Sequence, residues 1–267
     1  MKILYFGDTF SRPGRDAVKI AMARLVPQYG IDFVIVNGEN FCHGNGILPD
    51  MAQEFFDLGV DVITTGNHAW DQKQIIPYMN SSTRLIRPLN YPEHPQFKVP
   101  GRGSTVVEKK GKRLGVIQVM GRVFMDSLDC PFRAAELEVE RLDDLGIEAI
   151  LVDFHGEATS EKQAFAHFLD GRVSAVVGSH SHVQTADERL LPGGTAAITD
   201  VGMCGCFDSV IGVKKEISIQ KFLTKRPIKY EPAEGPGGYS AVVIDVDAVS
   251  GRATGIVRLR EVNVTDR

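Results

Sequence analysis

Eight residues able to bind or work beside a metal recur in one kind of place, at the end of a short apolar run. Asp8 follows ILYFG, Glu39 and Asn40 follow VIVNG, and Asn67 and His68 follow VITTG. His155 closes LVDFH, and His180 and His182 follow AVVGS. Imidazole, carboxylate and amide oxygen together suit borderline or hard divalent ions such as Mn, Fe(II) or Zn. A single Glu can bridge two cations, and two ions about 3.5–4 Å apart suit in-line displacement at phosphorus. They bind phosphate oxygens and share a hydroxide, because a bound ion lowers a water pKa from ~15.7 to about 7.

Each residue also has a plainer reading. Asp8 alone suits a turn or helix cap, Glu39-Asn40 and Asn67-His68 suit turns, and His155 suits a satisfied core histidine. His180-Ser181-His182 is harder to neutralise, since two imidazoles one residue apart leave an apolar strand where both can turn to one cavity. In open α/β sheets ligand sites gather at the carboxyl ends of strands. Five such ends carrying this residue set favour a shared centre. Arg12, Arg122, Thr9 and Asn90 lie near these loops and Trp70 follows the Gly66-Asn67-His68 turn, but a solvated Arg or a packed Trp explains them as well.

The elements that would position these residues alternate in the first half. Strand-like runs at Lys2–Gly7, Phe33–Asn37 and Val60–Thr64 are separated by helical spacing over Arg15–Tyr29 and Pro49–Leu58, with a short helix at Asp71–Met79. That β-α-β-α-β order predicts parallel strands with helical crossovers. Ser104–Lys109 and Arg113–Met120 flank Lys110-Gly111-Lys112, which reads as a hairpin turn. Helices are expected at Ala134–Leu145 and Ser160–Leu169, and buried strands at Ala149–His155 and Ser174–Ser179. From Gly193 onward strands and turns dominate, closing with an antiparallel pair, Tyr239–Asp247 and Ala253–Val262. No linker or repeat stands out, so residues 1–267 read as one domain, with two sheets and helices outside.

Composition narrows the class. The 267 residues carry a net charge of −4, which argues against a generic nucleic-acid coat and for no stable nucleic-acid complex. No run approaches the roughly 20 apolar residues of a membrane span, and MKILYFGDTF lacks a signal-peptide core. A cytoplasmic protein without a membrane partner is expected. Cys42, Cys130, Cys204 and Cys206 lack zinc-ribbon spacing and read as thiols rather than a soft-metal site or disulfides.

Taken as a set, Gly7-Asp8, Gly38-Glu39-Asn40, Gly66-Asn67-His68, His155 and Gly178-Ser179-His180-Ser181-His182 resemble the calcineurin-like metallophosphoesterases. VNGEN, TTGNHAWD, RPLNYP, GRVFM, PFR, VDFHGEATSEK and GSHSHVQTAD resemble its YmdB-like branch, along almost the whole chain. Two departures from the wider superfamily, Phe10 at a usual histidine position and Glu39 at the bridging aspartate, are similar to that branch. The resemblance implies a four-layer α/β/β/α sandwich and a dinuclear phosphodiesterase, with 2′,3′-cyclic nucleotides among its substrates. It implies that Asp8, Glu39, Asn40 and His182 hold one metal and Glu39, Asn67, His155 and His180 the other, Asn40 replacing the missing imidazole. The ions would be Fe or Mn, with Zn permitted, and a metal-bridged hydroxide would attack phosphorus. His68 would stay off the metals and act as general acid toward the leaving oxygen. A phosphomonoesterase or phosphoprotein phosphatase shares this metal core, and a metal-bearing regulatory protein with vestigial catalysis is a rival of another class. The sequence is compatible with a homo-oligomer and names no substrate-contacting residue.

Overall fold

The structure is a computed structural model that describes residues 1–265. Strands β1 (Lys2–Phe6), β2 (Asp8–Thr9), β3 (Phe33–Asn37) and β4 (Val62–Thr64) alternate with helices α1 (Ser11–Tyr29), α2 (Pro49–Asp57) and α3 (Ile75–Ser81). A second run follows: β5 (Ser104–Lys109), β6 (Lys112–Met120), α4 (Pro131–Asp144), β7 (Ile150–His155), α5 (Thr159–Phe168), β8 (Ala175–Ser179), β9 (Arg189–Leu190) and β10 (Ala196–Ile198). The chain then returns to the first sheet through β11 (Met203–Cys206), α6 (Lys215–Thr224), β12 (Gly237–Val246) and β13 (Ala253–Glu261).

One sheet runs β2-β11-β12-β1-β3-β4, with β13 also paired to β12. The other runs β5-β6-β7-β8-β10-β9. The expected crossovers are present: β1, β3 and β4 are parallel neighbours, as are β6, β7 and β8. Alternation along each strand sorts side chains between layers. In β1, Ile3 and Tyr5 face the other sheet, while Leu4 and Phe6 pack with Val18, Ala21 and Leu25 of α1. In β7, Leu151 faces the first sheet, while Ile150, Val152 and Phe154 pack with Val139 of α4 and Phe165 of α5. Three apolar clusters thus separate four layers, α/β/β/α. Each fully buried Ile, Leu or Phe contributes about 1.5–3 kcal/mol.

Local chemistry accounts for most boundaries. Lys109 pairs with Lys112, and Lys110 and Gly111 both take positive φ, 52° and 72°, the signature of a tight hairpin turn. Helix α1 begins a turn earlier than its apolar spacing suggests, since Pro13 sits in the first turn, where its missing N–H costs nothing. Helix α3 begins later than expected because His68–Gln74 is spent on turns. Helix α6 is absent from the sequence expectations. It buries only Ser218, leaving Ile219, Phe222 and Leu223 exposed, so it carries no apolar stripe aimed at a core. No helix among the described residues is long and apolar enough to cross a membrane.

Candidate metal centre

The strand ends of both sheets meet in one place. Asp8, Glu39, Asn40 and Asn67 come from the first sheet's edge of the cleft and His155, His180 and His182 from the second. Asp8, Glu39 and His155 are essentially without solvent exposure. Ligand atoms of Glu39, His155 and His180 lie within 4.8 Å of one another, and so do those of Asp8, Glu39 and His182. Glu39 is common to both groups.

The hydrogen-bond pattern around these atoms is one-sided. His155 Nδ1 donates to Ser179 Oγ at 2.9 Å, whose own proton goes to Asp153 Oδ1 at 2.7 Å. Asp153 Oδ2 in turn accepts from Tyr5 at 2.8 Å, a contact that spans the two sheets. His180 Nε2 donates to Glu157 at 3.2 Å, and His182 Nδ1 donates to the Ile211 carbonyl at 2.8 Å. Each ring therefore turns its other nitrogen inward. There His155 Nε2 meets His180 Nδ1 at 3.1 Å, Asn67 Oδ1 at 3.0 Å and Glu39 Oε2 at 3.2 Å. Asn40 donates its amide to the Gly44 carbonyl at 3.0 Å and presents Oδ1 to His182 Nε2 at 3.2 Å. Asp8 Oδ1 has no hydrogen-bond partner among the described residues, and Glu39 Oε2 has only its contact with His155 Nε2. Buried acceptors that converge without donors need positive charge.

The electrostatics agree. Burial lifts Asp8 to about 7. Burial would lift Glu39 too, but the neighbouring His155 holds it at about 2. His155, although buried, is pushed up to about 9 by Glu39 and Asp8, whereas burial and a charged His155 push His180 down to about 3. Burial thus opposes ionisation of Asp8, while the neighbouring His155 favours it in Glu39. Divalent cations would supply positive charge to both ligand groups.

Space is kept for such ions by the absence of a side chain at Gly66. A Cβ there would overlap Glu39 Oε2 and stand 2.5 Å from His155 Nε2. The histidine turn is strained: His180 and His182 have φ of 98° and 64°, at a cost of order 1–3 kcal/mol each. It is held by three hydrogen bonds. Asp8 Oδ2 accepts from His180 N at 3.1 Å, Asp200 Oδ2 from Ser181 N at 3.0 Å, and the His182 carbonyl from Met203 N at 3.2 Å. Asp200 is itself paired with Lys162 at 2.6 Å, and both are buried.

Lys162, Asp200, Asp153, Ser179 and Glu157 are not singled out as site residues by the sequence, although four of them fall within the family motifs. Their signal is weak, since a Lys on a helix or an Asp after a strand is ordinarily a surface feature. Lys162→Ala would leave Asp200 buried without its partner, and breaking a buried pair in this way costs about 3–5 kcal/mol. Urea denaturation should show a midpoint lowered accordingly; an unchanged midpoint would mean that the pair is dispensable.

A cleft of about 610 Å³ opens over the centre, lined by Glu39, Asn40, His68, His180 and His182 on its polar side. His68 stands apart from both ligand groups. Its Nδ1 is 2.8 Å from Asp71 Oδ2, which orients the ring and leaves Nε2 to serve a group in the cleft. Phe10 packs edge-on to His182 with ring centroids 5.7 Å apart, so the position lacking an imidazole instead braces one.

Other sequence candidates are placed elsewhere. Arg12 pairs with Asp16 in a neighbouring cleft. Arg122 N donates to Glu161, Thr9 donates to the Gly7 carbonyl and Asn90 braces Met120. Trp70 packs against Tyr91 with centroids 4.6 Å apart. The four cysteines are free; Cys204 is buried, which pushes its thiol up to about 12.

A family model described as YmdB-like protein matches residues 4–259. The chain belongs to this family. Among its relatives, a Bacillus subtilis protein named 2′,3′-cyclic-nucleotide 2′-phosphodiesterase is 45% identical over 265 residues, covering 97% of this chain and 96% of the relative. A crystal structure of a hypothetical protein from Thermus thermophilus superposes with a TM-score of 0.90 at 41% identity, covering 98% of this chain and 99% of that one. A crystal structure described as a novel phosphatase from Mycoplasma pneumoniae has a TM-score of 0.90 at 34% identity, covering 98% and 93%. These matches agree with the four-layer sandwich and with the family resemblance drawn from the motifs.

Proposed function

We propose that this protein is a metal-dependent phosphodiesterase that opens 2′,3′-cyclic ribonucleotides. The observation that carries the reading is the convergence of buried acceptors from five strand ends around Glu39, with His68 beside them. The name of the Bacillus subtilis relative supports the substrate class. Asp8, Glu39, Asn40 and His182 would hold one divalent ion, and Glu39, Asn67, His155 and His180 the other, with Fe or Mn suited to this donor set and Zn permitted. When bound, such ions supply a nucleophilic water at neutral pH and offset charge on the phosphate oxygens.

The protein's own groups do the rest. Ser179, Glu157 and the Ile211 carbonyl fix the imidazole tautomers, so that the lone pairs face inward. Asp71 aims His68. As the water oxygen bonds to phosphorus, the bond to the 2′ oxygen breaks, and His68 Nε2 delivers a proton to that departing oxygen. The product is a nucleoside 3′-phosphate.

The test is a product analysis with Mn or Fe loaded under controlled conditions. 2′,3′-cyclic AMP should give 3′-AMP, and bis(p-nitrophenyl) phosphate should be hydrolysed at least tenfold faster than p-nitrophenyl phosphate. The Mycoplasma pneumoniae relative, described as a phosphatase, motivates a second reading. Faster hydrolysis of the monoester would favour it and sink the diesterase.

A further inference from the structure

The cleft is larger than a phosphate needs, and its two sides differ in chemistry. Besides the carboxylates and imidazoles it is lined by Val210, Ile211, Val213, Phe222, Tyr230 and Pro232, with Ser218 and Glu231 among them. Phe222 is 66% exposed, Ile211 49% and Tyr230 45%. Single exposed apolar residues need no explanation, but a largely apolar cluster beside a polar centre does.

This wall is built, not incidental. Val213 pairs with Val210 and with Pro232. Lys214 N donates to the Glu231 carbonyl at 3.0 Å and Ala233 N to the Gly212 carbonyl at 2.8 Å, so residues 231–233 are zipped to 212–214. The Lys221 ammonium sits 3.8 Å from the Tyr230 ring centroid. The wall is also tied to the centre, since the Ile211 carbonyl accepts from His182 at 2.8 Å. A group esterified to a phosphate held at the centre would have this face within the same cleft.

We infer that the wall formed by the 210–213 loop, α6 and Tyr230 is the nucleobase site, with Phe222 and Tyr230 as stacking surfaces. The inference rests on the cyclic-nucleotide reading above and assigns the part of the substrate that the metals do not touch. Recognition by ring faces and aliphatic groups is tolerant of base identity, because every base has a π-face. Purines should bind better than pyrimidines through larger contact area, without strict discrimination.

The experiment compares 2′,3′-cyclic AMP with glycerol 1,2-cyclic phosphate, a cyclic diester lacking a base, in the wild-type metalloprotein and in Phe222→Ala, Tyr230→Ala and Phe222→Tyr. The readout is the ratio of kcat/KM for the nucleotide to that for the base-free diester. Each alanine variant should lower the ratio by about tenfold, mainly through KM, as loss of one stacking contact does; Phe222→Tyr should restore it. A ratio equal to wild type in both alanine variants would overturn the inference while leaving the phosphodiesterase intact. So would a changed oligomeric state of Phe222→Ala with an unmoved ratio, which would make the wall a protein contact. Wild-type protein that cleaves neither diester would instead refute the underlying reading.

Discussion

Replacing Gly66 with alanine should empty the metal centre of a folded protein. The added methyl would occupy space between Glu39 Oε2 and His155 Nε2, where the two ligand groups share their common carboxylate. Both sites should weaken together. Perturbing groups that merely orient metal ligands costs about 10–100-fold in affinity, and a direct clash with a shared ligand belongs at or beyond the upper end. Elemental analysis after dialysis would read the loss, with circular dichroism confirming the fold. Gly66 does not need a positive φ, so the effect would report space rather than backbone strain. Full metal content with wild-type turnover would show that Glu39 and His155 do not enclose an ion.

His68→Ala should have the opposite signature, with metals retained and turnover lost. His68 lies outside both ligand groups, and its ring is aimed by Asp71 rather than by the centre. A positioned general acid contributes roughly 10²–10⁴-fold. The loss should be greatest for a nucleotide, whose departing oxygen is a poor leaving group. It should be far smaller for a p-nitrophenyl ester, whose phenolate leaves without help. Steady-state rates on both substrates would decide it. Equal rates for variant and wild type on both would remove His68 from the mechanism.

Much of the centre is legible in the sequence because β3, β4, β7 and β8 are short apolar runs that stop at polar residues. In a parallel sheet such stops fall at one edge, so the sequence pattern and the three-dimensional cluster are nearly the same fact. Phe10 is legible as a departure, but its contact with His182 is not, because nothing local links residues so far apart. Lys162 and Asp200 are silent for a similar reason: burial makes them matter, and neither neighbourhood announces burial. Helix α6 escapes notice because its apolar residues face the cleft and solvent instead of a core. Periodicity detects cores, so a segment shaped for a ligand escapes it. The closing pair β12–β13 is antiparallel, as its sequence suggests, while the insertion of β12 between β1 and β11 depends on long-range pairing that no short window contains.

That insertion bears on how the molecule is made. The first and last parts of the first sheet are neighbours: Met1 N donates to the Val246 carbonyl, 245 positions away, and Lys2–Phe6 pairs with Ala241–Asp245. Strand β2, which carries Asp8, is held by β11, and β11 by β12. A growing chain has exposed all eight polar residues once His182 emerges, yet Asp8 still lacks the neighbours that hold it. Contacts this distant in sequence form late. The last strands contribute no ligand, but β12 joins β1 to β11, the strand that holds Asp8 in place. A chain interrupted before β12 would carry every donor atom yet lack the strand that ties β1 to β11.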